Sequence, residues 1–94
     1  MLDKSTAAQE ILRRYRTMEC GDTLQLLTWK RDRSLLITKQ QNDEILIQER
    51  GFKTEDFLVS FGKLKKILKV LLKREFPRSH KIRTRYIYQH NRED

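Results

Sequence analysis

Basic side chains are concentrated in the last third of the sequence. Residues 63–92 contain eleven Lys and Arg side chains and a single acidic one, Glu75, whereas residues 1–62 carry equal numbers of both signs. The chain of 94 residues has a formal charge of +8. Because like charges repel one another in a compact chain, folding alone does not favour this clustering. Segments of this kind are typical of proteins that bind polyanions.

Lysines recur along one side of a predicted helix over residues 61–76. Lys63, Lys66, Lys69 and Lys73 follow one another at spacings of three, three and four residues, opposite an apolar stripe. At about 1.5 Å per residue they span roughly 15 Å, which is the scale of several backbone phosphates. Release of condensed counterions would drive binding to such a row. The alternative interpretation is an ordinary solvated helix face with an excess of lysine.

A basic strand is predicted directly after this helix. Lys81, Arg83 and Arg85 occupy alternate positions, so that they project from one face of a sheet. Edge-strand protection is the alternative interpretation, since charge discourages pairing between sheets. Because only a short basic connection separates helix from strand, the sequence predicts one contiguous nucleic-acid-binding surface. Its predicted members are Lys63, Lys66, Lys69, Lys73, Arg74, Arg78, Lys81, Arg83 and Arg85.

Three aromatic side chains are candidates for stacking on bases. Under strict alternation Tyr86 and Tyr88 lie on the opposite strand face from the arginines, and they can stack only if that face is open to solvent. For Tyr86 a position in the core is the favoured interpretation. Core packing is also favoured over base stacking for Trp29.

Residues suited to catalysis or to metal binding are sparse. His80, next to Ser79, is a candidate general base, and a small ribonuclease using His80 is an alternative hypothesis. Adjacent residues on a strand point to opposite faces, which places this pair poorly as nucleophile and base. Cys20 has no cysteine partner, and Glu55 with Asp56 supplies too few ligands for a metal ion. We therefore predict a protein without catalytic residues, metal ion or cofactor.

The order of the predicted elements indicates the α+β class. The elements are, in order, a helix at 5–19, β-type runs at 23–30, 34–40 and 44–49, a fourth run at 54–59, the lysine-rich helix at 61–76 and a strand at 81–88. Short polar turns between the runs predict a three- to four-stranded antiparallel meander with both helices on one face. We expect a single domain over residues 1–94, with residues 89–94 as a frayed tail.

These patterns together predict a non-catalytic nucleic-acid-binding domain that contacts phosphates. RNA or single-stranded DNA is favoured slightly over duplex DNA, because no recognition-helix motif is evident. The main alternative is a protein-interaction module that docks an acidic protein or forms a homodimer through an exposed edge strand. No secretory segment and no bilayer-spanning apolar run is visible, so we expect a cytoplasmic protein without membrane contact.

Overall fold

The computed structural model describes residues 2–28, 30 and 32–88. In chain order the elements are β1 (Leu2–Asp3), a 3-10 turn (Lys4–Thr6), α1 (Ala7–Thr17), β2 (Thr23–Leu27), β3 (Ser34–Lys39), β4 (Glu44–Arg50), β5 (Thr54–Ser60), α2 (Phe61–Glu75) and β6 (Lys81–Ile87). The expected α+β class is confirmed. The predictions for Trp29 and for a frayed tail at 89–94 fall outside the described residues.

The six strands of the described residues form one antiparallel sheet in the order β1–β6–β2–β3–β4–β5. Strands β2 to β5 follow one another as a meander, β6 returns to pair with β2, and β1 pairs with the beginning of β6. We expected a meander of three or four strands and one C-terminal strand, so the observed total of six described strands exceeds the predicted count. The two-residue β1 was missed because it is too short to leave a period-two pattern.

The turn between β3 and β4 depends on two residues in the left-handed conformation. Asn42 and Asp43 have φ angles of 63° and 61°. These residue types tolerate positive φ better than most, and two consecutive positive φ angles suit the twist of a tight antiparallel hairpin. The short polar turn expected between the runs at 34–40 and 44–49 is thus confirmed.

The apolar core lies between the sheet and the two helices, which pack on the same sheet face. The sheet contributes Leu24, Leu26, Leu35, Ile37, Ile45 and Ile47, and the helices contribute Ile11, Tyr15, Leu64, Leu68, Leu71 and Leu72. The rings of Tyr15 and Phe61, 5.5 Å apart, join α1 to the start of α2. Because α2 directs its leucines at the sheet, its opposite side is left to solvent.

The second face of the sheet, called here the open sheet face, is covered by no helix within the described residues. It carries a mixture of polar and apolar side chains, among them Gln25, Leu36, Leu46 and Leu58. Of the two described helices, neither combines the length and the apolar character needed to cross a bilayer.

Candidate nucleic-acid interface

Five exposed lysines occupy the outward side of α2. They are Lys63, Lys65, Lys66, Lys69 and Lys73, and together they are called the lysine face. Their position follows from the opposite side of the helix, where the leucines are buried against the sheet. The face extends over eleven residues, or roughly 15 Å at 1.5 Å per residue.

The charges of the lysine face are not compensated locally. None of its five lysines forms an ion pair or a side-chain hydrogen bond with any other described residue. The single acidic residue of α2, Glu75, is fully buried on the other side of the helix. Neighbouring ammonium groups without counter-charges raise the local positive potential, which favours an anionic ligand.

A groove beside the lysine face adds one more cation. It has a volume of about 330 Å³ and lies between the 3-10 turn and α2, where Lys4, Ser5, Lys69 and Lys73 line it. The Lys4 ammonium donates a hydrogen bond to the carbonyl oxygen of Phe76, at 2.5 Å. This bond neutralises part of the negative end of the α2 dipole and holds Lys4 at the margin of the lysine face.

Arg74 belongs to the same helix but has a different environment. Its Nε and Nη2 atoms donate to the two carboxylate oxygens of Glu49 at 2.8 and 2.7 Å. Glu49 is fully buried on β4, and the Arg74 side chain is 26% exposed. The hydrogen bonds to Glu49 raise the pKa of Arg74. Arg74 therefore joins α2 to the sheet and is not part of the lysine face.

Glu75 lies next to Glu49 and fastens the β4–β5 loop to the end of α2. Its carboxyl oxygens accept hydrogen bonds from the backbone N–H groups of Phe52, at 2.8 Å, and Lys53, at 3.2 Å. A Cβ atom on Gly51 would collide with this carboxyl group and with the Arg33 side chain, so the close approach requires glycine.

The pKa values of the two buried carboxyl groups are shifted in opposite directions. Burial and the hydrogen bond with Glu49 raise the pKa of Glu75. Burial opposes ionisation of Glu49 as well, but hydrogen bonds from Arg74 and Glu75 hold the pKa of Glu49 below its usual value. Of the two carboxyl groups, Glu75 therefore holds its proton more tightly than an ordinary glutamate, whereas Glu49 favours the charged form that pairs with Arg74.

Arg83 and Arg85 lie on the open sheet face, beside Leu27 and Gln25 of β2. Neighbouring positions on β6 point the other way, since Ile82 is buried in the core and Thr84 accepts a hydrogen bond from Arg14 of α1 at 3.3 Å. The sheet therefore separates the two arginines from the lysine face. The expected single contiguous surface is wrong.

The remaining predicted members lie at the end of the molecule where α2 stops. Lys81 is paired with Asp3 of β1, and hydrogen bonding to this lysine lowers the pKa of Asp3. Arg78 is exposed in the connection from α2 to β6, where it lines an open cleft of about 500 Å³ together with Thr28, Arg33 and other residues. Neither residue extends the row of lysines on α2.

The aromatic residues of β6 differ in their roles. The hydroxyl of Tyr86 donates to Asp22 at 2.8 Å, and burial together with this bond raises the pKa of Tyr86 to about 12. Tyr86 is partly buried against the core, so its expected core position is confirmed. Tyr88 is 55% exposed, and its ring lies 4.3 Å from that of Tyr86.

The candidate catalytic pair, Ser79 and His80, forms no side-chain hydrogen bond or ion pair with the other described residues. Ser79 is half-buried, His80 is exposed, and no hydrogen bond joins their side chains. Among all the residues that the structure describes, no group of three His, Cys, Asp or Glu side chains is arranged to hold a metal ion. The ribonuclease hypothesis stays an untested prediction.

The sequence analysis did not predict that Lys65 belongs to the lysine face, nor that Arg74 pairs with Glu49. Lys65 was detectable, because at 100° per residue it falls on the solvent side of the helix. The partnership of Arg74 with Glu49 joins residues 25 positions apart, and no local pattern reports it.

Comparison with known proteins supplies no relative. No protein family model matches the chain, no curated protein is significantly similar to it, and no solved structure matches its fold.

Proposed function

We propose that the protein binds single-stranded nucleic acid, RNA or DNA, through contacts between the lysine face and backbone phosphates. The observation that carries this proposal is the lysine face itself: five exposed ammonium groups on one side of α2 without an acidic partner among the described residues. Binding would release the counterions condensed on the nucleic acid, and this release supplies the free energy of association.

Lysine rather than arginine on this surface favours recognition of charge over recognition of sequence. An ammonium group is a point charge on a flexible stem, whereas a guanidinium forms a planar fork suited to base edges. Phosphate contacts position a protein on its ligand without carrying sequence information. We therefore expect weak sequence preference and a strong dependence on salt.

An acidic protein partner is the alternative occupant of the same face. It would respond to the same charges but would make no use of regularly spaced phosphates. An intracellular location is part of the proposal.

Two charge-matched double variants test the proposal. K66E/K69E reverses two charges on the lysine face, and R78E/R85E reverses two exposed charges away from it. Binding of a fluorescent single-stranded RNA, the same sequence as DNA, and its duplex is measured by anisotropy at fixed salt. We expect K66E/K69E to lose at least about tenfold in affinity, since reversing two charges removes two phosphate contacts and adds repulsion.

The matched variant separates the lysine face from net charge. R78E/R85E should lose much less affinity than K66E/K69E, and the two variants should unfold at the same temperature. Equal losses in the two variants would show that overall charge attracts the ligand and would contradict the assignment to α2. Absence of binding by the unsubstituted protein to all three probes at low salt would overturn the proposed function itself.

A further inference from the structure

Strand β5 forms one border of the sheet and has an unpaired outer edge within the described residues. All seven of its residues, Thr54–Ser60, pair one-to-one with β4 without a bulge. Five of the seven are exposed, including Leu58 at 63%. The strand therefore presents a straight row of backbone N–H and C=O groups to solvent.

The opposite border of the sheet is protected in the ways that natural proteins use. The edge strand β1 has only two residues, and it pairs with the part of β6 that carries Lys81 and Ile82. The rest of β6 carries the charged side chains Arg83 and Arg85. Short edge strands and charged residues both discourage pairing with another chain. Strand β5 has no lysine, proline, glycine or bulge, and of its two charged side chains, Glu55 and Asp56, the second is neutralised by Arg50 of β4.

We propose that β5 pairs with β5 of a second copy of the chain, antiparallel and about a twofold axis, so that two sheets become one. A second copy fits this edge because the repulsion between the two strands is small: β5 adds no cation to either copy, and one of its two carboxylates is already paired within its own chain. β5 carries Glu55 and Asp56 and no basic residue, and Asp56 is already paired with Arg50 of β4 at 2.8 Å. Two chains that are strongly basic elsewhere thus approach through a strand that is not.

The spacing of the two acids selects the register. Directly opposite residues share a sheet face, so the twofold axis must pass beside a residue that faces itself. An axis at Phe57 pairs all seven residues and places Asp56 opposite the second copy's Leu58 and Glu55 opposite its Val59. An axis at Asp56 would bring two carboxylates together, and an axis at Leu58 would pair fewer residues. The register centred on Phe57 is therefore favoured.

This pairing has a consequence for the lysine face. A twofold axis perpendicular to the sheet keeps the helices of both copies on the same side. The two lysine faces would then form one doubled cationic surface, and affinity for a long polyanion would rise with dimer formation through multivalency. This consequence rests on the proposed function, whereas the pairing of β5 does not.

The variant L58E tests the pairing, with I87E as its matched control. Leu58 and Ile87 are exposed apolar residues at the two ends of the same cross-strand row on the open sheet face. In the favoured register, L58E sets the new carboxylate opposite Asp56 of the other copy. Sedimentation velocity without nucleic acid, at up to about 100 µM protein because small interfaces are weak, should show dimers for the unsubstituted chain and for I87E but monomers for L58E.

A second variant keeps the test valid if L58E is destabilised. L58E/D56K places a cation opposite the introduced carboxylate in the favoured register and should restore the dimer. A monomeric unsubstituted chain over the whole concentration range would overturn the proposal, as would equal weakening of the dimer by L58E and I87E. Because no nucleic acid is present, these outcomes do not depend on whether the lysine face binds it.

Discussion

The lysine face of α2 and the basic residues of β6 have similar charge density in the sequence but differ in their surroundings. On β6, two of the three cations interact with the protein itself: Lys81 is paired with Asp3, and Arg83 also takes part in an interaction with the rest of the protein. On α2, the five lysines have no such partner among the described residues. Cations that are not already paired within the protein contribute most to the free energy of binding an anionic ligand. The comparison therefore assigns the candidate interface to α2 and not to the whole basic third of the chain.

The same distinction divides α2 itself. Lys73 and Arg74 are neighbours in sequence, yet Lys73 is exposed and Arg74 is bound to the buried Glu49. Counting charges along the sequence measures how many cations are present, whereas the packing determines how many of them can bind a ligand. Variants that treat these neighbours separately test the difference directly.

The largest expected effect on stability comes from breaking the Glu49 ion pair. R74M keeps much of the side-chain volume but leaves the buried carboxylate of Glu49 without its cation. We expect the free energy of unfolding to fall by about 3 kcal/mol, the lower end of the range for removing one partner of a buried pair, because solvent reaches this pair from one side.

The neighbouring substitution K73M is the control for R74M. Surface substitutions away from specific contacts usually change stability by less than about 0.5 kcal/mol, and K73M should fall within that range in urea unfolding. If R74M and K73M have equal stability, the ion pair with Glu49 does not join α2 to the sheet, and the division of α2 into structural and ligand-binding cations is wrong.

A smaller effect, visible in its pH dependence, is expected for E75Q. The pKa of Glu75 is raised in the folded state by burial and by Glu49, so the folded protein holds this proton more tightly than the unfolded chain. The contribution of Glu75 to stability is then greatest below the ordinary carboxyl pKa and is lost as the pH rises through the folded value, with a slope that approaches about 1.4 kcal/mol per pH unit.

Glutamine cannot lose this proton, so E75Q should gain in stability relative to the unsubstituted chain as the pH rises above about 4.5. Thermal unfolding across the pH range measures the difference. A constant difference between the two proteins at every pH would mean that the pKa of Glu75 is not raised in the folded protein.

The smallest of these effects is expected on the inward side of β6. Y86F removes the hydroxyl that donates to the buried Asp22 and should cost about 1.5 kcal/mol, the lower end of the range for a hydrogen bond to a charged group. R85A, which changes the next outward side chain of the same strand, should leave the unfolding temperature nearly unchanged. A larger loss of stability in R85A than in Y86F would mean that the other face of β6 packs against the core.

Local patterns in the sequence were sufficient for several features of the fold. The Asn42–Asp43 turn follows from residue types that tolerate positive φ, and the core position of Tyr86 follows from its alternation with Arg85. These features depend on neighbours within a few residues, and short-range patterns report such neighbours. β1 was not detected because two residues cannot show a period.

The error about one contiguous basic surface had a different origin. A helix and a strand that pack against the same core from opposite sides expose opposite sides of the molecule. The outward lysines of α2 and the outward arginines of β6 therefore point away from each other, although their short connection suggested otherwise. Alternation on β6 already contained this information. The sequence contained no comparable signal for the pairing of Arg74 with Glu49, because that pairing is a contact between distant parts of the chain.

The salt dependence of nucleic-acid affinity tests the central claim most directly. If each of the five lysines neutralises one phosphate of a single strand, the plot of log affinity against log salt should have a slope of about −3.5. K66E/K69E should reduce the magnitude of this slope by about 1.4, whereas R78E/R85E should leave it unchanged. Equal slopes for the unsubstituted protein and K66E/K69E would contradict the claim that the lysine face of α2 makes the phosphate contacts.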